Sequence, residues 1–137
     1  MTIKLKQTNT QAYPEPPEWW IGSRPEWAVY WALISLGKKP DIDFSYQSAQ
    51  LGGRLSKGGA VIDFLMYDPP NLAINVQSTF YHYRTFAQQT KGQLQRVQLE
   101  GYGLTVIYID EQDALSNPRY FVQEALMGND YSLMAGK

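Results

Sequence analysis

The chain has 137 residues, 44% of them hydrophobic and 14% aromatic, enough for one domain with a sizeable core, so a two-domain reading is not expected. A formal net charge of −1 excludes the strongly basic balance of non-specific nucleic-acid binders, so any phosphate contact has to come from a local patch. Cysteine is absent and histidine occurs once, which excludes disulfides, thiolate metal sites, a cysteine nucleophile and multi-histidine zinc.

Residues 1–22 are polar and then proline-rich, "YPEPPEWWIG", and read as an extended N-terminal arm whose end is pinned by Trp19 and Trp20. "SRPEWAVYWALISLG" reads as a helix, with Ser23 as N-cap, Pro25 in the first turn, Trp27, Tyr30, Trp31 and Ile34 at helical spacing, and Gly37 as the stop. "DIDFSYQSAQ" alternates Ile42, Phe44 and Tyr46 with polar residues, and "GGAVIDFLMYD" follows a glycine-bracketed turn, so the two are expected to form an antiparallel hairpin. "LAINVQ" is a third, central strand.

The glutamine-rich segment from Arg84 to Glu100 reads as a helix in which Phe86, Ala87, Leu94, Val97 and Gly101 share a face. "LTVIYID" is a further strand of β-branched and aromatic residues, and "NPRYFVQEALMG", with an Asn cap and proline start, is a final helix ending at Gly128. Residues 23–128 thus form a single domain, and 129–137 a C-terminal tail. A strand that arrives through a helical crossover lies parallel to its neighbour, so "LTVIYID" is expected to pair with "LAINVQ". The fold class is α/β, with a mixed central sheet flanked by helices. No apolar run approaches the roughly eighteen residues of a membrane span and "MTIKLKQTNTQ" has no signal-type core, so the expectation is a soluble cytoplasmic protein with no membrane partner.

From Ser23 to Asp110 this succession resembles the PD-(D/E)XK, restriction-endonuclease-like nuclease superfamily, whose core is αβββαβ. "RPEWAVYWALISLG" is similar to its first helix with an early glutamate, and "GGAVIDFLM" to the strand that delivers a metal-binding aspartate. "LAINVQSTFYH" resembles the "hhEVxGxxxH" strand and turn of the branch containing the very short patch repair endonucleases. Small domains of this kind also resemble proteins of bacteriophages and mobile elements, which places the chain in a host cytoplasm or a phage particle.

The resemblance implies a Mg²⁺- or Mn²⁺-dependent DNA endonuclease, in which hard cations take oxygen ligands. Asp63 is the leading ligand, a carboxylate in the middle of an otherwise apolar strand; the competing reading is a charge on the solvent side of an alternating strand. Glu26 matches the helix glutamate, yet Ser23-Arg24-Pro25-Glu26 is also a capping box. The family's second carboxylate falls on Asn75, or on Gln77 in an alternative register, and its lysine on Gln77 or Thr79; Asn75 and Gln77 share one sheet face and carry no charge. Asn75 is the third metal position and Gln77 a group that positions water or phosphate. His82 stands where the patch-repair branch has a functional histidine and is either a proton donor or a turn residue. Arg54, Lys57, Arg84, Lys91 and Arg96 are the DNA-contact candidates; a solvated surface accounts for the same residues.

The departures at Asn75 and Gln77 keep a second function open: a catalytically inactive nuclease-fold module with a degenerate active site, acting as a DNA-binding or structural component. The arm and tail are then the segments through which the chain would join a homo-oligomer or a larger assembly, such as a phage particle.

Overall fold

The computed structural model describes residues 11–46, 55–57, 60–77, 94 and 96–133, the side chains of 55–57, 60 and 61 excepted. Helix α1 (Arg24–Ser35) starts where expected, at Ser23, and its buried face is Trp27, Ala28, Val29, Ala32 and Leu33. It stops at Gly37, whose φ of +90° lets the Lys38 N–H reach back to the Leu33 carbonyl at 2.9 Å.

Among the described residues six strands follow: β1 (Phe44–Tyr46), β2 (Leu55–Lys57), β3 (Ala60–Ile62), β4 (Phe64–Met66), β5 (Leu72–Gln77) and β6 (Thr105–Asp110). Four of them form a sheet in the order β1-β4-β5-β6, antiparallel except for the parallel pair β5 and β6, while β2 and β3 form a separate two-stranded ribbon. The expected parallel pairing of "LTVIYID" with "LAINVQ" is present, in register from Leu72 opposite Thr105 to Gln77 opposite Asp110. Helices α1, α3 (Glu111–Ser116) and α4 (Pro118–Leu126) bury Val29, Leu33, Ala114, Phe121 and Val122 against Phe44, Phe64, Met66, Ile74 and Ile107 on one face. The other face, Ala73, Val106 and Tyr108, is covered by Leu99 of helix α2 (residues 96–101). The domain is therefore α/β with a mixed sheet and helices on both faces.

The hairpin differs from its expected form in one respect that matters. Phe64 and Met66 point into the face covered by α1 and Leu65 to the opposite face, so plain alternation would place Ile62 with Phe64. Ile62 instead packs with Ala73, Leu99 and Val106 on the other face. Asp63, between β3 and β4, is thus a break in the strand that reverses its facing, as an extra residue in a bulge does. Ile42 does not join β1 and is 66% exposed.

Three further expectations are revised. Leu94 and, in α2, Val97 are exposed while Leu99 is fully buried, so the sheet-facing side is not the one periodicity suggested; Phe86 and Ala87 lie outside the described residues. The short helix α3, immediately after β6, was not foreseen. Asn117 does not cap α4 with its side chain. Gln11 does that work from far along the chain: its Oε1 accepts from the Arg119 N–H at 2.9 Å and its own N–H donates to the Ser116 carbonyl at 2.7 Å.

The arm is held at further points. Tyr13 Oη donates to the Leu115 carbonyl at 3.0 Å, Trp27 Nε1 to the Pro14 carbonyl at 2.8 Å, and Glu15 receives both Arg24 guanidinium nitrogens at 2.5 and 2.6 Å. Trp19 and Trp20 do anchor its end, packing against Trp27 and Tyr30. The described part of the arm is thus engaged with its own domain.

Truncating Leu99 to Ala is expected to cost about 2–5 kcal/mol in urea unfolding, whereas Leu94→Ala changes stability by no more than about 0.5 kcal/mol. Equal losses, or the reverse order, would mean that α2 buries the other side.

Candidate active site at the Asp63 strand break

At Asp63, between the end of β3 and the start of β4, side chains take over from the backbone ladder. Asp63 Oδ2 accepts from the Val76 N–H at 2.9 Å, and the Asp63 N–H donates to Asn75 Oδ1 at 2.8 Å. Asn75 lies directly opposite Tyr108 across the β5–β6 pair, and its side chain also hydrogen-bonds the Tyr108 phenol. Asp63 is therefore fixed by two neighbours on a central strand, one of which is itself fixed by the next strand. Only one of its carboxylate oxygens has a hydrogen-bond partner among the described residues.

Burial pushes the Asp63 pKa up from 3.8 to about 7; the Val76 N–H partly opposes this by stabilising the anion, and the negative charge of Glu26 adds to it. The structure thus brings Asp63 and Glu26 within electrostatic reach of each other. Glu26 lines a cavity of about 290 Å³ with Ser23, Pro25, Val76 and Glu111.

The capping box is formed: the Ser23 N–H and Oγ both donate to Glu26 Oε1 at 2.9 Å, and the Glu26 N–H donates back to Ser23 Oγ at 3.3 Å. Tyr46 Oη donates to the same Oε1 at 3.1 Å, tying the helix start to strand β1. Among the described residues, the bonds that the Glu26 carboxylate accepts all fall on Oε1.

Of the other candidates, Gln77 is buried on the Asn75 face, and its Nε2 has no partner among the described residues. Arg96 is held between Glu100 at 3.5 Å and Asp130 at 3.8 Å, with its guanidinium 5.7 Å from the Tyr108 ring centre. It therefore reaches the described surface already paired. Arg54, His82, Arg84 and Lys91 lie outside the described residues, as does the side chain of Lys57.

Sequence reasoning missed Glu111, Tyr108 and Asp130. Glu111 opens α3 directly after β6, and an acid at the carboxyl end of a parallel strand was the available signal. Asp130 accepts from the Tyr108 N–H at 3.0 Å, covering part of the outer edge of β6. Nothing local in "GNDYS" announces that pairing.

Among the described residues no three Asp, Glu or His side chains gather closely enough to hold a metal ion alone. The donor set fits Mg²⁺ in the mode where one or two carboxylates hold the ion and water or a substrate phosphate completes the shell. Asp63 and Glu26 are the residues that would hold it, and the rise in Asp63 proton affinity to which the Glu26 charge adds is what a cation would relieve. Asn75 fits less well, because its oxygen already receives the Asp63 N–H. Comparison of the chain with protein-family models, with curated proteins and with solved structures finds no match.

Two variants test this geometry. A Cβ on Gly22 would run into Tyr46 Oη and lie 3.0 Å from a Trp20 ring carbon and 3.1 Å from Glu26 Oε1. With Tyr46 stacked on Trp20 at 4.8 Å, the phenol has little room to retreat. Gly22→Ala is expected to cost about 1–3 kcal/mol, read as a lower urea midpoint; an unchanged midpoint would mean that Tyr46 moves freely.

For Asp63, the native state keeps a proton between pH 4 and 7 that the unfolded chain has released, so its contribution to stability is present at low pH and is lost as pH rises through that window. Asp63→Asn keeps an acceptor for the Val76 N–H and carries no charge. The variant is expected to flatten the pH dependence between 4 and 7 and to be more stable than the parent at pH 8 by about 1–4 kcal/mol. A variant less stable at pH 8, with the slope unchanged, would contradict the buried charge.

Proposed function

We propose that the chain is a Mg²⁺-dependent DNA endonuclease of PD-(D/E)XK type, with the restriction-endonuclease-like core that its element order resembles, hydrolysing phosphodiester bonds at the Asp63 strand break. The observation that carries this reading is the convergence of Asp63 and Glu26, with the Asp63 pKa raised to about 7 by burial and by Glu26. A carboxyl group desolvated near a second acid is costly for a fold and recurs where a site needs it.

In this reading Asp63 and Glu26 hold the cation, which when bound supplies positive charge to the scissile phosphate. Val76 and Asn75 keep the Asp63 carboxyl in one orientation through hydrogen bonds to its Oδ2 and from its N–H. Gln77, with a donor left over on the same strand, positions water or a phosphate oxygen. His82 protonates the leaving oxygen, a role that rests on the resemblance alone, as do the DNA contacts of Arg54, Lys57, Arg84 and Lys91.

A second reading, an inactive nuclease-fold module that binds DNA or builds an assembly, is favoured by a different observation. Glu26 Oε1 is committed to Ser23 and Tyr46, and Asn75 to Asp63 and Tyr108, so these two groups are already engaged without a substrate.

Supercoiled, branched and mismatched DNA incubated with the full chain and Mg²⁺ or Mn²⁺ separates the two. The endonuclease reading expects nicking or linearisation that EDTA and Asp63→Asn both reduce to background. Binding without cleavage of any substrate with either metal sinks it in favour of the module.

A further inference from the structure

The arm closes another cavity, of about 210 Å³, against α1 and β1. Its walls include Trp19, Trp20, Tyr30, Phe44 and Tyr46, and the carboxylate of Asp41. We propose that this cavity is a binding site for an alkylated ammonium head group, held by aromatic ring faces and the Asp41 carboxylate.

The aromatic frame is built rather than incidental. Trp20 stacks on Tyr46 with centroids 4.8 Å apart and is inclined to Tyr30 at 5.1 Å. Trp19 meets Trp20, Trp27 and Tyr30 edge-on at 6.0–6.2 Å and is still 63% exposed, which leaves ring surface open to a ligand. Ring faces carry negative electrostatic potential and attract cations that lie within about 6 Å of the centroid.

Asp41 supplies a full charge. It is exposed, makes no side-chain hydrogen bond or ion pair with the described residues, and sits at a φ of +65° that turns the backbone between Pro40 and Phe44. Its charge is felt by Tyr30, whose pKa rises through burial first and through Asp41 second, so carboxylate and phenol border the same space. The cavity is smaller than the roughly 300–1,000 Å³ of pockets for drug-sized ligands, which suits a head group rather than a whole cofactor. A stacked nucleobase would bring phosphate towards Asp41 and be repelled.

The test is tryptophan fluorescence of the full chain titrated with choline, with N-acetyl-trimethyllysine amide, and with 3,3-dimethyl-1-butanol, the neutral isostere of choline. The proposal expects saturable quenching by at least one of the cations and binding of the isostere about 10-fold weaker or undetectable. Tighter binding of choline assigns the head group to a free or lipid-borne choline, and tighter binding of the lysine derivative assigns it to a modified side chain.

Asp41→Asn, a residue that tolerates the same left-handed backbone, should weaken the cation about 3- to 10-fold, and Trp19→Ala should weaken it as well. Equal binding of cation and isostere, cation binding unchanged in Asp41→Asn, or no saturable change with either cation overturns the proposal. None of these outcomes depends on whether the Asp63 site cleaves DNA.

Discussion

The hydrogen-bonded exchange between Asp63 and strand β5 is the constraint from which the rest of the molecule follows. A strand with apolar residues on both sides of one acid cannot bury all of them on a single face. Breaking the ladder at that acid lets Ile62 turn to the α2 face and Phe64 to the α1 face, both fully buried. The backbone groups freed by the break do not go unpaired, because the Asp63 carboxyl takes the Val76 N–H and Asn75 takes the Asp63 N–H. Core packing thus holds in place a charge that it makes costly.

The start of α1 is coupled to that break through Glu26. Its carboxylate completes a helix cap, receives Tyr46 from β1 and adds negative charge near Asp63, so one side chain serves stability and site electrostatics together. The arm closes the unit from outside: Gly22 leaves room for Tyr46 against Trp20, and Gln11 caps α4 in place of Asn117. The stretch read as an extended arm is, from residue 11 onward, bonded into the domain.

What was legible in the sequence follows the range of each signal. The capping box at Ser23, the glycine stop at Gly37 and the parallel pairing of β5 with β6 rest on local chemistry or on a topological rule, and all are present. The facing of α2 was misread, because periodicity shows that a helix has a side without showing which side meets the sheet, and Leu99 won that place over Leu94 and Val97. Asp63 could be singled out as an acid among apolar residues, but not as a break, since the reversal is visible only once Ile62 and Phe64 are seen on opposite faces. Asn75 read as a missing carboxylate; its amide does what a carboxylate could not, accepting from Asp63 and bonding Tyr108 without adding charge. Tyr108 meets Asp130, and Glu111 meets the Glu26 cavity, from segments that carry no shared motif.

The account turns on the charge of one carboxyl group. Carbon-13 NMR of the Asp63 side-chain carboxyl, titrated from pH 3 to 9 with and without Mg²⁺, measures it directly. The account predicts a titration near pH 7 in the absence of the cation, as burial and Glu26 require, and a clear downward shift when Mg²⁺ occupies the site, because a metal favours the deprotonated ligand. A titration near the ordinary 3.8 that Mg²⁺ leaves unmoved would contradict it.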